Sequence, residues 1–326
     1  MKKKLESNEI KIDLLENGFD FILSALNYLS EYESARDLKY AILHLSSGFE
    51  LIFKERLKNE HWSLLFERID KVNLHDFETG NFVSVYFDSC LARLEGICGI
   101  NFSDNEKEIL RNFRDKRNKL EHFGIIDTVE ALKSSAAKAL SIALDFINKH
   151  LTEKEFSEAE IDLLDKLKKK MLEFDDFVDT RMKEIEARFK KHKGRLSVYA
   201  CPSCLQKALL LGDDKPKCHF CGYQTEPEEA ANAYLETIQG ESHYTSVKEG
   251  GIYPLYICPE CGRETLVGLN TEGEHKEEVG WVCFACGEEW YSSSLDICTS
   301  CGNPFVTQDE DFGICTSCLK NKIEKD

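Results

Sequence analysis

The chain has 326 residues, with 42 Lys and Arg against 59 Asp and Glu, a formal charge of −17 at pH 7. That length predicts two or three domains, and the charge excludes attraction of polyanions by the surface as a whole. No stretch approaches the roughly 20 apolar residues that a membrane span requires, and the Met-Lys-Lys-Lys start leads into a charged segment rather than an apolar one. A soluble, cytoplasmic protein without membrane contact is therefore expected.

Residues 1–150 are expected to form an all-α bundle of four or five helices in up-and-down order. Ile10, Leu14, Leu15, Phe19, Ile22, Leu23, Leu26 and Leu29 keep a helical period. A second helix from about Ser34 turns Leu38, Ile42, Leu45, Phe49, Ile52, Phe53 and Leu57 inward. Glu50 and Lys54 lie one turn apart on it. They read equally as a surface ion pair worth about 0.2–0.5 kcal/mol and as groups that orient a site. His44 and His61 read as ordinary packed or surface histidines. Residues 70–82, with DFETGN, read as a turn-rich connection. Phe82 to Cys98 reads as a third helix, weakened at its end by Gly96 and Gly99, with Cys90 and Cys98 as core thiols. After the next helix, Thr128 caps another over about Val129 to Lys149.

The stretch from Ser103 to Gly124 carries the chemistry. Ser103 and Glu106 form a capping box, and Gly124 follows the last turn. The apolar stripe Ile109, Leu110, Phe113, Leu120 is interrupted by Lys116 and Arg117, and a cation at that place must be paired or face a groove. Asn118 follows directly and His122 one turn later. The plain reading is a polar helix end, with Arg117 in a salt bridge and His122 capping carbonyls.

RNKLEH, set in a long helical segment, resembles the Arg-polar-x3-His signature of the HEPN superfamily of helical domains, over roughly residues 10–150. AILHLSSGFELIFKERL resembles the family's second helix, in which a glutamate and a basic residue follow an apolar stretch. The resemblance implies a metal-independent endoribonuclease. His122 would serve as base or acid, Arg117 would clamp phosphate oxygens, and Asn118 would orient phosphate or imidazole, with Glu50 and Lys54 auxiliary. On an ideal helix Arg117 and His122 point about 140° apart. Family members overcome this as homodimers whose two motifs line one cleft, which implies an RNA substrate and products ending in a 2′,3′-cyclic phosphate. Settings such as toxin activity or phage defence come with the resemblance. The rival reading is a catalytically idle HEPN-like module that binds nucleotide or protein and is regulated through its acidic tail.

Residues 151–195 read as a helical bridge. Thr152 with Glu155 and Ser157 with Glu160 make two capping boxes, 12 basic residues balance 12 acidic ones, and KKHKG suits a helix C-terminus. The weak seam Ile161, Leu164, Leu167, Leu172 suits packing on the bundle or pairing of two subunits.

Beyond residue 196, six Cys-x2-Cys pairs appear in a chain lacking an export signal, which points to zinc rather than disulfides. They predict three small β-rich zinc ribbons over 196–240, 250–290 and 291–326. Pairing in sequence order gives Cys201, Cys204, Cys218, Cys221; then Cys258, Cys261, Cys283, Cys286; then Cys298, Cys301, Cys315, Cys318. The alternative joins Cys283/Cys286 to Cys298/Cys301. Four thiolates and no open position make such sites structural, with three Zn²⁺ and no catalytic metal. Gly222, Gly262, Gly287 and Gly302, each after a second cysteine, suit the tight turn. Residues 197–326 hold 9 Lys or Arg against 22 Asp or Glu, so this tail reads as a protein-contact, assembly or sensing module rather than a phosphate binder. Its Tyr253, Trp281, Phe284 and Trp290 read as covers of small cores.

Overall fold

A computed structural model describes residues 12–30, 34–151, 156–192, 197–212, 215–242, 244, 248, 253–270, 278–307 and 313–323. The expected multi-domain architecture is present: helices fill the N-terminal part and small antiparallel sheets with cysteine clusters the C-terminal part. The chain divides into two compact units, Met1–Lys183 and Glu184–Asp326.

In the first unit α1 is Leu14–Ser30, α2 Ala35–Glu60, α3 Leu74–Thr79, α4 Phe87–Gly96, α5 Asp104–His122, α6 Val129–His150 and α7 Glu158–Met171; α8, Asp175–Lys190, begins in it and runs past its end at Lys183. Two short 3-10 turns, Trp62–Leu65 and Ile69–Lys71, lie between α2 and α3. The segment expected as a plain turn-rich connection thus carries a six-residue helix, α3. Asn73 starts it by accepting the Asp76 N–H at 2.8 Å, and Gly80 ends it at φ +71°.

The apolar stripes close around Phe53, whose ring meets Phe146 at 4.7 Å, Phe102 at 5.9 Å and Phe87 at 6.2 Å between centroids. Three other segments of chain therefore converge on one side chain of α2. α1 and α2 approach closely because Gly18 and Gly48 face each other. A Cβ on Gly48 would lie 2.5 Å from Ile22 Cγ1 and 2.9 Å from the Gly18 carbonyl oxygen. Cys90 is buried as expected, and burial pushes its thiol up to about 12. Cys98 instead lies past the end of α4 and is only half-buried, because the helix stops at Gly96.

The helices expected as a bridge pack on the bundle. Phe156 sets its ring edge-on to Phe19 of α1, and Leu167, Met171, Phe174 and Phe177 are buried. Arg181 of α8 is fully buried, donating to the Ser141 carbonyl and hydroxyl at 3.2 and 2.9 Å and to Asp145 Oδ1 at 2.6 Å. A buried guanidinium needs such partners to remain charged. The Ser157–Glu160 capping box forms. Thr152 with Glu155, and the Lys193-Gly194 end of KKHKG, lie outside the described residues.

The second unit holds three antiparallel sheets. β1 (Ser197–Ala200), β2 (Lys207–Leu211) and β3 (Lys217–Cys218) form the first, followed by α9 (Pro227–Thr237). β4 (Leu255–Ile257), β5 (Glu264–Gly268), β6 (Val279–Cys283) and β7 (Glu289–Tyr291) form the second. β8 (Leu295–Ile297) and β9 (Pro304–Val306) form the third, followed by α10 (Thr316–Ile323).

The first two sheets are docked glycine to glycine: a Cβ on Gly287 would lie 2.7 Å from the Gly212 Cα. Ser197 donates to the Gly287 carbonyl and Tyr199 to Glu289 Oε1, both at 2.8 Å, while Tyr234 of α9 packs on Phe284 at 5.2 Å. Phe284 is fully buried, and Trp281 and Trp290 pack around Cys258, Leu266, Cys283 and Leu295. These aromatics serve the small core.

Candidate functional site

α5 places the Arg117 motif. Its start is fixed as the sequence indicates, with Ser103 accepting the Glu106 N–H at 3.2 Å and Glu106 accepting the Ser103 N–H at 2.7 Å. Leu110 and Phe113 are buried, and Phe113 meets Phe49 of α2 at 5.7 Å. Arg114 ties the helix to α4, donating to Asp88 at 2.5 Å with its guanidinium 5.6 Å from the Phe87 ring centre. At the other end the Phe123 and Gly124 N–H groups both bond the Lys119 carbonyl, with Gly124 at φ +149°. The motif therefore sits on the last two turns of an anchored helix.

Both cations that interrupt the stripe are half-buried and paired. Lys116 pairs with Asp127. Arg117 Nη1 lies 2.5 Å from Glu121 Oε2 and donates to Asn118 Oδ1 at 3.1 Å. The same Glu121 oxygen lies 3.6 Å from His122 Nε2. The salt bridge of the plain reading is present, whereas His122 faces Glu121 instead of capping a carbonyl. Glu121 thus draws together two side chains that helix geometry alone would hold apart. Its part escaped the sequence reading, although its spacing of four from Arg117 was the available signal. His122 is 64% exposed and open to solvent. Beside it Phe123 is 99% exposed and Ile126 fully exposed.

Glu50 and Lys54 form the expected pair at 2.5 Å, the Glu50 side chain partly exposed. Lys54 is only 7% exposed and also donates to Ser84 at 2.9 Å, linking α2 to the segment before α4. Their hydrogen bonds form a network separate from that of Arg117, Asn118 and His122. His44 bonds Ser24 of α1 at 3.0 Å, and His61 bonds Ser63 two residues on at 2.7 Å.

In the second unit the cysteines gather in sequence order. The sulfurs of Cys201, Cys204, Cys218 and Cys221 lie within 4.8 Å of one another, as do those of Cys258, Cys261, Cys283 and Cys286 and those of Cys298, Cys301, Cys315 and Cys318. The closest pairs stand 3.6 to 3.9 Å apart. A disulfide needs about 2.05 Å, whereas four sulfurs about 2.3 Å from one ion form a tetrahedron with edges of about 3.8 Å. Each quartet could hold one metal ion.

Gly222, Gly262, Gly287 and Gly302 take φ between +73° and +80° and return their N–H to the carbonyl of the first cysteine of their pair at 2.8 to 3.0 Å. The Cys201/Cys204 turn has no such glycine. Leu205 takes its place at φ +63° and makes the same bond to Cys201 at 2.8 Å. The Cys315/Cys318 pair departs further, with Cys318 in the first turn of α10. Each quartet holds at least one thiol below the ordinary range, and the first holds two, Cys201 being lowered by hydrogen bonds with Cys204 and Cys218. Hydrogen bonds from Cys201, Cys204 and Cys218 lower Cys221, one from Cys258 brings Cys283 to about 4, and the Cys315 N–H brings Cys298 to about 6. Neighbouring sulfurs and burial push Cys204, Cys218, Cys258, Cys286 and Cys318 up, so each quartet mixes favoured and disfavoured thiolates. Exposure grades the sites: all four ligands of the first are buried, whereas Cys301 of the third is exposed and Cys315 and Cys318 half-buried.

No helix among the described residues is long and apolar enough to cross a membrane. No family model, curated protein or solved structure matches the chain.

Proposed function

We propose that the helical unit is a metal-independent endoribonuclease that works as a homodimer, and that the three cysteine quartets hold structural Zn²⁺ in a module for contact with protein partners. The observation that carries the ribonuclease reading is the gathering of Arg117, Asn118, Glu121 and His122 at one exposed helix end. Transesterification by the ribose 2′-OH needs a base, an acid and a cation for the phosphorane charge. His122 is solvent-open and can exchange a proton with substrate. Arg117 presents a planar fork suited to two phosphate oxygens once phosphate replaces Glu121. Products would end in a 2′,3′-cyclic phosphate, and no metal takes part. Chemistry of this kind and the resemblance of RNKLEH to the HEPN signature together suggest a cytoplasmic RNA-cutting protein, with toxin activity or phage defence as its setting.

One chain supplies one imidazole in the motif, and the reaction uses two proton transfers. A second copy provides the other, and the exposed Phe123 and Ile126 beside His122 offer apolar surface for it. Phe123→Asp should turn a dimer into a monomer in sedimentation and abolish cleavage together. Mixing Arg117→Ala with His122→Ala tests the composite cleft. Activity regained by the mixture shows that the two chains share one site, whereas cleavage by monomeric Phe123→Asp would contradict it.

The rival reading draws on the Glu121–Arg117 contact, which already neutralises the cation. In it the unit is an idle nucleotide- or protein-binding module regulated through the acidic tail. Full-length protein that binds RNA or nucleotide but cuts no RNA would favour it.

The cysteine quartets fit Zn²⁺ by donor set and by sulfur spacing, and closed four-thiolate sites leave no position for catalysis. The acidic surface around them argues for a protein partner over RNA.

A further inference from the structure

The segment between α2 and α4 is not used by the Arg117–His122 site, yet it encloses a cleft of about 390 Å³, within the range of small-ligand sites. Its floor is aromatic. Phe66 and Phe82 stack at 4.2 Å between centroids, 17° from parallel, and are backed by Trp62 and Phe77. Two walls are apolar side chains left in solvent, Val83 and Tyr86, each 62% exposed.

The polar lining is mostly committed elsewhere. Glu67 accepts the Tyr86 N–H at 2.9 Å and the Ser89 hydroxyl at 3.2 Å. Arg68 forks onto Asp70 at 2.7 and 3.2 Å, and Asp76 accepts from the Asn73 amide. Two groups remain: among the described residues Lys71 forms no salt bridge, acting on Asp70 only through its field, and the Asn81 side-chain amide makes no hydrogen bond. An aromatic face, one uncommitted cation and one uncommitted amide are what a single unstacked nucleotide needs. The base stacks, its edge meets an amide, and its phosphate meets an ammonium.

We propose that this cleft binds one nucleotide of a single-stranded RNA, its base against Phe82 and Tyr86, its edge read by Asn81 and its phosphate held by Lys71. The identity of the ligand rests on the ribonuclease reading. The cleft and the motif share one scaffold, because Tyr86 is the N-cap of α4, and the next two residues, Phe87 and Asp88, hold Arg114, one turn before Arg117. RNA seated in the cleft is thereby set against the helix that carries the cleaving residues.

The test is fluorescence-anisotropy binding of a fully 2′-O-methylated oligonucleotide, which cannot be cleaved, to the full-length protein at low salt. Tyr86→Ala should weaken binding roughly ten-fold, since stacking of one base is worth about that much. Lys71→Glu should weaken it and flatten the salt dependence. Both side chains are exposed, so circular dichroism should be unchanged. Unchanged binding in both variants, while wild type cuts RNA and His122→Ala does not, overturns the cleft and spares the ribonuclease reading. Binding that both variants weaken, in a protein that cuts no RNA, supports the cleft and removes the ribonuclease. No oligonucleotide binding at all overturns the cleft. A free nucleoside monophosphate that binds as tightly as the oligonucleotide overturns the RNA assignment in favour of a mononucleotide.

Discussion

The helical unit and the cysteine unit solve the problem of staying folded by different means. The first buries large apolar side chains around Phe53, which three aromatic rings surround, and needs no ligand to do so. The second has strands of two to five residues and small cores, in which cysteine sulfur itself forms part of the buried surface. Where side chains fill the interior, stability is spread over many contacts. Where thiols fill it, stability would be concentrated at three points once ions bind, because a bound ion contributes at once what a core accumulates gradually.

Metal removal should separate the units most. The protein should carry three zinc ions per chain by elemental analysis, and structural zinc contributes on the order of 10–16 kcal/mol to its fold. A strong chelator should therefore open residues 197–323 to proteolysis and leave the helical circular-dichroism signal standing. The third quartet should release its ion first and the first quartet last, following their exposure, and acid should hasten release because protons compete for the sulfurs. Retention of the helices only in the metal-loaded protein would break the comparison from one side. Phe53→Ala attacks from the other. It should cost the helical unit about 3–5 kcal/mol in a denaturant titration and leave the zinc count at three.

Two smaller substitutions sharpen the picture within the cysteine unit. Gly287→Ala places a methyl 2.7 Å from Gly212 and forces alanine to positive φ. It should destabilise the docked first and second sheets by about 2–4 kcal/mol. Leu205→Gly should act in the opposite direction. Relief of the left-handed strain at the one glycine-less turn of this type should raise stability by about 1 kcal/mol, read as slower zinc loss from the first quartet.

Local signals in the sequence proved the most legible. The Ser103–Glu106 and Ser157–Glu160 boxes both form because capping depends on residues three apart, whatever lies further off. The grouping of the twelve cysteines followed spacing in the same way. Features set by distant packing were hidden. Gly18 and Gly48 look like helix weakeners in sequence, yet they let α1 and α2 meet. α9 begins at Pro227 with Glu228 and Glu229 in its first turn, a helix start within a segment read as ribbon. α10 was obscured because Cys318 reads as a ribbon ligand and also belongs to a helix. At the candidate site Arg117, Asn118 and His122 were legible as a motif. That Glu121 would bridge two of them depends on side-chain reach, which periodicity does not describe.

The central claim is that the end of α5 cleaves RNA without a metal. Purified full-length protein should cut single-stranded RNA in EDTA, over times too short to strip the zinc, and leave 2′,3′-cyclic phosphate ends. His122→Ala should abolish that cleavage with helical content unchanged. Cleavage that requires added Mg²⁺, or that persists in His122→Ala, would contradict the account.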